Sequence, residues 1–311
     1  MTSLRADDSR LKTGDLCELF GRTKQAYYKS VSQKCEKVSN DDLVVLLAKE
    51  IRKDMPMIGA KKIHHKITTD YGIPVGRDHL FELMRDNGLL NCKRKKRCKT
   101  TYSGHGLYTY PNAVHDIVPT RPNEIWVSDI TYIFFGDKFR YLFLITDAYS
   151  KKIIGWVYSE NMLAENAIAA LKMAIKQRTG CEPLIHHSDR GAQYCASQYI
   201  ALEKQYGIQP SMTENSDPRE NGIAERVNGI LKHEFLDLLK LTPENAKRMI
   251  GKAIDTYNNK RPHLSLGMHT PSEAHTMTGE QTRLWKTYYK SYKTQENCLP
   301  LPTQTTRTTT I

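Results

Sequence analysis

The chain has 311 residues and a formal net charge of +12 at pH 7, with a sequence pI of about 9.2. The length predicts two or three domains, and the positive charge favours a polyanionic partner such as nucleic acid. A merely basic globular protein has the same composition. The seven cysteines form no Cys-x-x-Cys pair, which argues against a disulfide framework and for a reducing compartment. Because the sequence has neither a long apolar run nor a signal peptide, we expect a cytoplasmic protein.

The N-terminal third predicts helices. Residues 1–38 are polar and indicate a small helical or partly disordered arm. Ser39–Asp42 has the spacing of a capping box and predicts the start of an amphipathic helix, which Met55-Pro56 ends. A second helix over Gly59–Tyr71, a Gly-containing turn and a third helix follow. This order predicts a helix-turn-helix domain over residues 39–92 that binds DNA, although a three-helix bundle without groove contacts fits the same pattern.

Basic residues in and after this domain are the first predicted DNA contacts. Arg77 and His79 lie on the expected exposed face of the third helix. Residues 93–123 form a basic linker whose cations predict contacts with phosphates, and a solvated hinge is the alternative. The cations are Lys93, Arg94, Lys95, Lys96, Arg97 and Lys99. Cys92 and Cys98 lack the spacing of a common zinc site.

Three acids mark the centre of the sequence. Asp129 lies within Ile125–Phe135, an alternating run of β-branched and aromatic residues that predicts a strand. Asp189 follows the short apolar strand predicted over Leu184–Ser188, and Glu225 opens a pattern of helical periodicity. Acids near the ends of different elements can converge on one cavity, where their repulsion requires divalent cations such as Mg²⁺ or Mn²⁺. Two such ions promote in-line phosphoryl displacement.

The segments around these acids resemble the DDE integrase core of retroviral integrases and bacterial transposases, whose second and third acids have the same thirty-five-residue spacing. The resemblance is closest to the second-frame transposase of the IS-three insertion-sequence family and runs from about Ser39 to about Ala274. It rests on four motifs in order: WVSDITY at 126–132, HSDRGAQY at 187–194, ERVN at 225–228 with Lys232 and Glu234, and YNNKRPH at 257–263 before Thr270-Pro271.

This resemblance implies an α/β fold. We expect an RNase H-like integrase catalytic core over residues 124–280, with a mixed five-stranded sheet and flanking helices, preceded by the small all-α helix-turn-helix domain. The predicted element order agrees with it, because three antiparallel strands are followed by alternating helices and strands. Residues 281–311 form a tail rich in Thr, Gln and Pro, which predicts partial disorder.

The resemblance also implies the chemistry. The three acids become the catalytic groups and the ligands of two Mg²⁺ or Mn²⁺ ions in a transposase that hydrolyses element ends and joins the 3′ hydroxyl to target DNA. Lys232, two helical turns after Glu225, is implied to contact a phosphate beside the scissile bond. Pairing with Glu234 or Asp237 on a solvated face is the alternative.

Further residues near the core have two interpretations each. The polar loop before the third acid predicts a mobile segment in which Arg219 and Asn221 contact DNA, and a plain surface loop is the alternative. Arg261 lies in a basic, extended segment expected near DNA. Asp147 either caps a turn with Ser150 or serves as a fourth metal ligand.

The resemblance implies DNA as the partner, both element ends and target, with assembly of a homo-oligomer on that DNA. In this family the active enzyme is usually a frameshift fusion with an upstream-frame product. Two other functions fit parts of the sequence: an inactive DNA-binding regulator and an RNase H-type nuclease. The intact acid trio argues against the regulator, and the helix-turn-helix, basic linker and acid spacing argue against the nuclease.

Overall fold

The computed structural model describes residues 12–91, 107–115, 117–135, 138–214, 220–239 and 241–281. The linker cations from Lys93 to Lys99, Arg219 and most of the predicted tail lie outside these ranges. Across the ranges given, no helix is long and apolar enough to cross a membrane.

The N-terminal part is helical. It contains α1 (Thr13–Leu19), α2 (Lys24–Asp54), α3 (Ala60–Asp70) and α4 (Arg77–Asp86). The predicted helix start at Ser39 is wrong, because α2 passes through it without a break. Thr23 caps α2 instead, with its side chain accepting a hydrogen bond from the N–H of Ala26, and no Gly or Pro interrupts the helix before Met55. The expected domain boundary at residue 38 therefore falls inside a helix.

The three predicted helices around the turn are present. Gly72 follows α3 with φ +65°, a left-handed conformation that glycine adopts without strain. The apolar positions of α3 and α4 are buried against α2, as their helical periodicity predicts. These residues are Val44, Ala48, Ile51, Ile63, Ile67, Leu80 and Met84.

The C-terminal part contains the predicted five-stranded sheet. Its strands are β1 (Ile125–Phe135), β2 (Lys138–Asp147), β3 (Ile153–Ser159), β4 (Leu184–Ser188) and β5 (Ile208–Met212). The spatial order is β3-β2-β1-β4-β5, with antiparallel pairing of β1 to β2 and β2 to β3. Strands β1, β4 and β5 pair in parallel.

Helices cover both faces of this sheet. They are α5 (Ala164–Gln177), α6 (Ala192–Cys195), α7 (Ser197–Gln205), α8 (Gly222–Ile230), α9 (Pro243–Asn259) and α10 (Pro271–Ala274). Successive residues of β2 face opposite layers. Phe143 packs with α5, whereas Leu142 packs with α8 and α9. Sheet order and layering confirm the predicted RNase H-like integrase core.

The helical part packs directly on this core. Buried residues of α2 to α4 form one hydrophobic cluster with Leu231 and Ile250. Two ion pairs cross the same boundary: Lys260 to Asp54 at 2.7 Å, and Lys62 to Glu234 at 3.9 Å. The two parts are therefore held by a shared core as well as by the chain that connects them.

Candidate active site

Parallel pairing of β1 and β4 places two of the acids side by side. Val127 pairs with His187, and each of these residues lies two positions before an acid. Asp129 and Asp189 therefore stand level at the same edge of the sheet, where β4 ends. Asp129 and Asp189 are each partly exposed as residues at this edge.

Helix α8 brings the third acid to the same edge. Glu225 is exposed in its first turn. Two asparagines on either side of Glu225 bind the helix to β1. The Asn221 side-chain amide donates to the carbonyl of Ser128 at 2.8 Å, and the Asn228 amide donates to Oδ2 of Asp129 at 2.6 Å.

The three carboxylates form one electrostatic cluster. Burial, followed by the negative charge of Asp189, raises the pKa of Asp129 to about 7, and Glu225 adds to the rise. Hydrogen bonds from Asn228 and from the N–H of Ile130 oppose it. The predicted acids thus lie within electrostatic reach of one another, and their catalytic role stays a prediction.

The donor set fits a hard divalent cation. Such cations prefer carboxylate oxygens as ligands. A bound cation would also offset the repulsion among the three carboxylates. Among the residues that the structure describes, no three Asp, Glu, His or Cys groups are already arranged as a metal site. The Asp129 carboxylate instead accepts hydrogen bonds from the Asn228 amide and the Ile130 N–H.

The helix that carries Glu225 is shorter than predicted. It ends at Ile230, and a π-helical turn over Leu231–Phe235 follows. Leu238 would continue the helical periodicity that the sequence predicts from Glu225 and would face inward, yet its side chain is 50% exposed. A π turn contains an extra residue, so the periodicity of α8 does not continue beyond it.

Lys232 lies in this π turn, beside β1. Its Nζ donates to the carbonyl of Tyr132 at 2.7 Å. Glu234 and Asp237 pair with Arg261 and His233, which argues against the alternative of a pair with Lys232 on a solvated face. The predicted phosphate contact of Lys232 remains a prediction.

Two predicted DNA contacts are buried. Arg261 is 2% exposed, and its guanidinium donates to both carboxylate oxygens of Glu234 at 2.9 and 2.7 Å. Its third nitrogen contacts His263. Buried Asn221 is likewise hydrogen-bonded inside the protein, and these contacts argue against the DNA-contact predictions for both residues. A pairing across twenty-seven residues leaves no signal in the sequence.

The helix-turn-helix face is only partly as expected. Arg77 is exposed on α4 and pairs with neighbouring Asp78 at 2.9 Å, so its DNA contact stays a prediction. His79 was expected on the same face, but its Nε2 lies 2.7 Å from Asp41 of α2. The imidazole thus joins two helices, which argues against its predicted contact with DNA.

Asp147 caps a turn, as predicted. The N–H and hydroxyl of Ser150 both donate to its Oδ1 at 2.7 Å, and the N–H of Asn123 donates to Oδ2. These hydrogen bonds occupy both oxygens of the buried carboxylate. They argue against its alternative role as a metal ligand.

Sequence reasoning missed the polar side chains that support the acids. The sequence carries a signal for Asn228, because a residue one helical turn after Glu225 lies on the same face of the helix. His187 precedes Asp189 by two residues, and its Nδ1 lies 2.9 Å from the hydroxyl of Ser211 on β5. Burial lowers the pKa of His187 to about 4, so the imidazole is neutral at physiological pH.

The sequence around these acids matches a known family. Two Integrase core domain family models match residues 119–218 and 206–271, which include all three acids. The catalytic core domain of HTLV-2 integrase, solved in complex with magnesium, is 23% identical over 51% of this chain and 99% of that one, with a TM-score of 0.42.

Insertion elements of bacteria encode similar chains. A 31 kDa uncharacterized protein of element IS600 from Shigella sonnei is 32% identical, covering 83% of this chain and 96% of that protein. Transposase InsF of insertion sequence IS3A from Escherichia coli K12 is 31% identical, covering 63% of this chain and 67% of that protein. The chain therefore belongs to the DDE transposases of the IS-three insertion-sequence family, polynucleotidyl transferases that act in DNA transposition.

Proposed function

We propose that this transposase hydrolyses the 3′ ends of its insertion element and joins each freed 3′ hydroxyl to target DNA, with Asp129, Asp189 and Glu225 as its catalytic groups. The observation that carries the proposal is the convergence of the three acids. The parallel register of β1 and β4 sets Asp129 level with Asp189, and the charges of Asp189 and Glu225 add to the burial that raises the pKa of Asp129. Such crowding of like charge is costly for stability and is typical of functional sites. No covalent bond between protein and DNA is required.

The three acids would hold two Mg²⁺ or Mn²⁺ ions. When bound, these ions would supply the positive charge that stabilises the attacking and leaving oxygens of the phosphodiester. The supporting residues keep the acids in place. Asn228 orients Asp129, and Asn221 fixes the start of the helix that carries Glu225.

Lys232 is proposed to contact a phosphate beside the cut. Its hydrogen bond to the carbonyl of Tyr132 holds the ammonium group next to β1, three residues after Asp129 in the same strand. Arg77, Arg219 and the linker cations would bind phosphates farther along the DNA. We also propose assembly of a homo-oligomer on DNA, a frameshift fusion with an upstream-frame product, and a cytoplasmic location with the chromosome.

The test is strand cleavage and joining on DNA that carries the element's ends, in Mg²⁺ and in Mn²⁺. Asp129→Asn, Asp189→Asn and Glu225→Gln should each lose both reactions and still bind DNA. Glu160→Gln changes an exposed acid outside the cluster and is the matched control. Near-normal joining by any of the three variants would overturn the assignment. An RNA–DNA hybrid is included as a substrate, and cleavage of the hybrid alone would favour the nuclease.

A further inference from the structure

The hairpin of β1 and β2 extends beyond the acid cluster. Strand β4 pairs only with Ile125–Val127 of β1, whereas β2 pairs with β1 as far as Phe135. From Ile130 onward, no strand among the described residues pairs with the hairpin on the β4 side. It projects from the edge of the sheet at which Asp129 and Asp189 lie.

One face of this projection is aromatic. Tyr132 pairs across the strands with Tyr141, and Phe134 pairs with Phe139. The ring centroids lie 5.4 and 5.2 Å apart within these pairs, and 6.0 Å apart between Tyr132 and Phe139. We name these four residues the aromatic arm. Phe134 is 60% exposed and Phe139 54% exposed, so their rings offer apolar faces to the surroundings.

The arm is continuous with the site of DNA chemistry. Tyr132 lies three residues after Asp129, and its carbonyl binds Lys232. Burial and the nearby Tyr141 raise the pKa of the Tyr132 phenol, and the charges of Asp189 and Asp129 add to this rise. The phenol is thus within electrostatic reach of the acids. We therefore expect DNA that places a phosphodiester at the acids to come near the arm.

The chemistry of the arm indicates which part of DNA it contacts. Lys138 is exposed at its outer end and follows Asp137 in the sequence, and the four residues of the arm carry no formal charge. Aromatic rings stack on the faces of bases with little sequence preference. Bases inside a duplex present only their edges, so an exposed ring can stack on a base only after that base leaves the helical stack.

We infer that the aromatic arm stacks on unpaired bases next to the cut phosphodiester and keeps the DNA end open. The inference rests on the proposed function, because it places those bases at a site where the DNA strand is cut. It adds a binding site for single-stranded DNA to the acid cluster.

The experiment measures binding without cutting, in the full chain carrying Asp189→Asn. The probes are two otherwise identical duplexes, one blunt and one with a short unpaired extension that contains the fluorescent base 2-aminopurine. The Phe134→Ala/Phe139→Ala variant should bind the extended duplex about tenfold more weakly per lost stacking contact. It should lose the fluorescence quenching while its affinity for the blunt duplex stays unchanged.

Two further variants control for folding and for aromatic loss in general. Phe134→Leu/Phe139→Leu keeps the apolar hairpin and should retain the melting temperature, yet lose quenching. Tyr206→Ala removes a 47% exposed ring at the end of α7, next to the starts of the parallel strands and away from Asp189. This control should behave like the parent chain.

An unchanged preference for the extended duplex in both arm variants would overturn the inference. So would arm variants that dissociate an oligomer in sedimentation and leave the preference intact, because the arm would then join copies of this chain. Failure of the proposed function is separate: it appears as absent cleavage by the chain with Asp189 intact, whatever the arm variants bind.

Discussion

The side-chain amide of Asn228 donates a hydrogen bond to Oδ2 of Asp129 at 2.6 Å. This contact joins helix α8 to strand β1 one turn after Glu225. It therefore fixes the separation of the first and third acids, and it lowers the pKa of Asp129 against the opposing effect of burial.

Asn228→Ala should move the pH dependence of catalysis. Without the hydrogen bond, the pKa of Asp129 rises above about 7, so the acid limb of the pH–rate profile for strand cleavage shifts to higher pH. Asn40→Ala, an exposed asparagine of α2, should leave the profile in place. A lower rate with an unshifted profile would show that Asn228 acts on packing alone.

Binding of Mg²⁺ should depend on pH through Asp129. Its pKa is raised from 3.8 in the unfolded chain to about 7, so the folded chain binds more protons between these values. This contribution to stability is present below about pH 4 and is lost as the pH rises through about 7. Added Mg²⁺ competes with the proton, so the gain in melting temperature should be larger at pH 8 than at pH 5.5. Asp129→Asn should abolish the difference, and an equal gain at both pH values would contradict the site.

Arg261→Ala should destabilise the protein rather than weaken DNA binding. It leaves Glu234 partly buried without its bidentate partner, at a cost of about 3–5 kcal/mol in the free energy of unfolding. Urea denaturation measures this cost. Arg77→Ala removes an exposed cation and should change stability by less than about 0.5 kcal/mol. If Arg261→Ala kept its stability and lost DNA affinity, the predicted DNA contact of Arg261 would hold after all.

Lys232→Ala should reduce catalysis strongly and change stability only slightly. Loss of one hydrogen bond to the Tyr132 carbonyl costs about 1 kcal/mol, which is a small change in melting temperature. Loss of a phosphate contact at the cut should reduce 3′-end cleavage and joining much more than bulk DNA affinity. Lys232→Arg retains the charge and should keep part of the activity. Normal cleavage by Lys232→Ala would contradict the predicted phosphate contact, and the role of the lysine would then be its hydrogen bond to β1.

Local pattern predicted the sheet well. The bounds of Ile125–Phe135 and Leu184–Ser188 are those of β1 and β4, since their apolar patterns are bounded by polar and turn residues. The helical periodicity of α8 does not continue through the π turn, and no residue type in the sequence signals that turn.

Errors about individual side chains have one physical cause. The charge of Arg261 suggested a surface position, but a distant acid satisfies the guanidinium inside the protein. Asn221 was assigned to a loop, whereas its amide binds the main chain of a strand ninety-three residues earlier. Pairings of this kind depend on how the elements are arranged in space, so they follow from the fold and not from neighbouring residues.

The hydrophobic cluster that joins α2 to α4 with α9 and the π turn holds the helical part at a fixed distance from the acids. Because packed side chains, and not the linker alone, set the position of the helical part, any DNA held there meets the acids at a constant number of base pairs from its point of attachment. The cut position is then a property of this packing. Enlarging a cavity in the cluster should blur the cut over neighbouring phosphates before it stops the reaction.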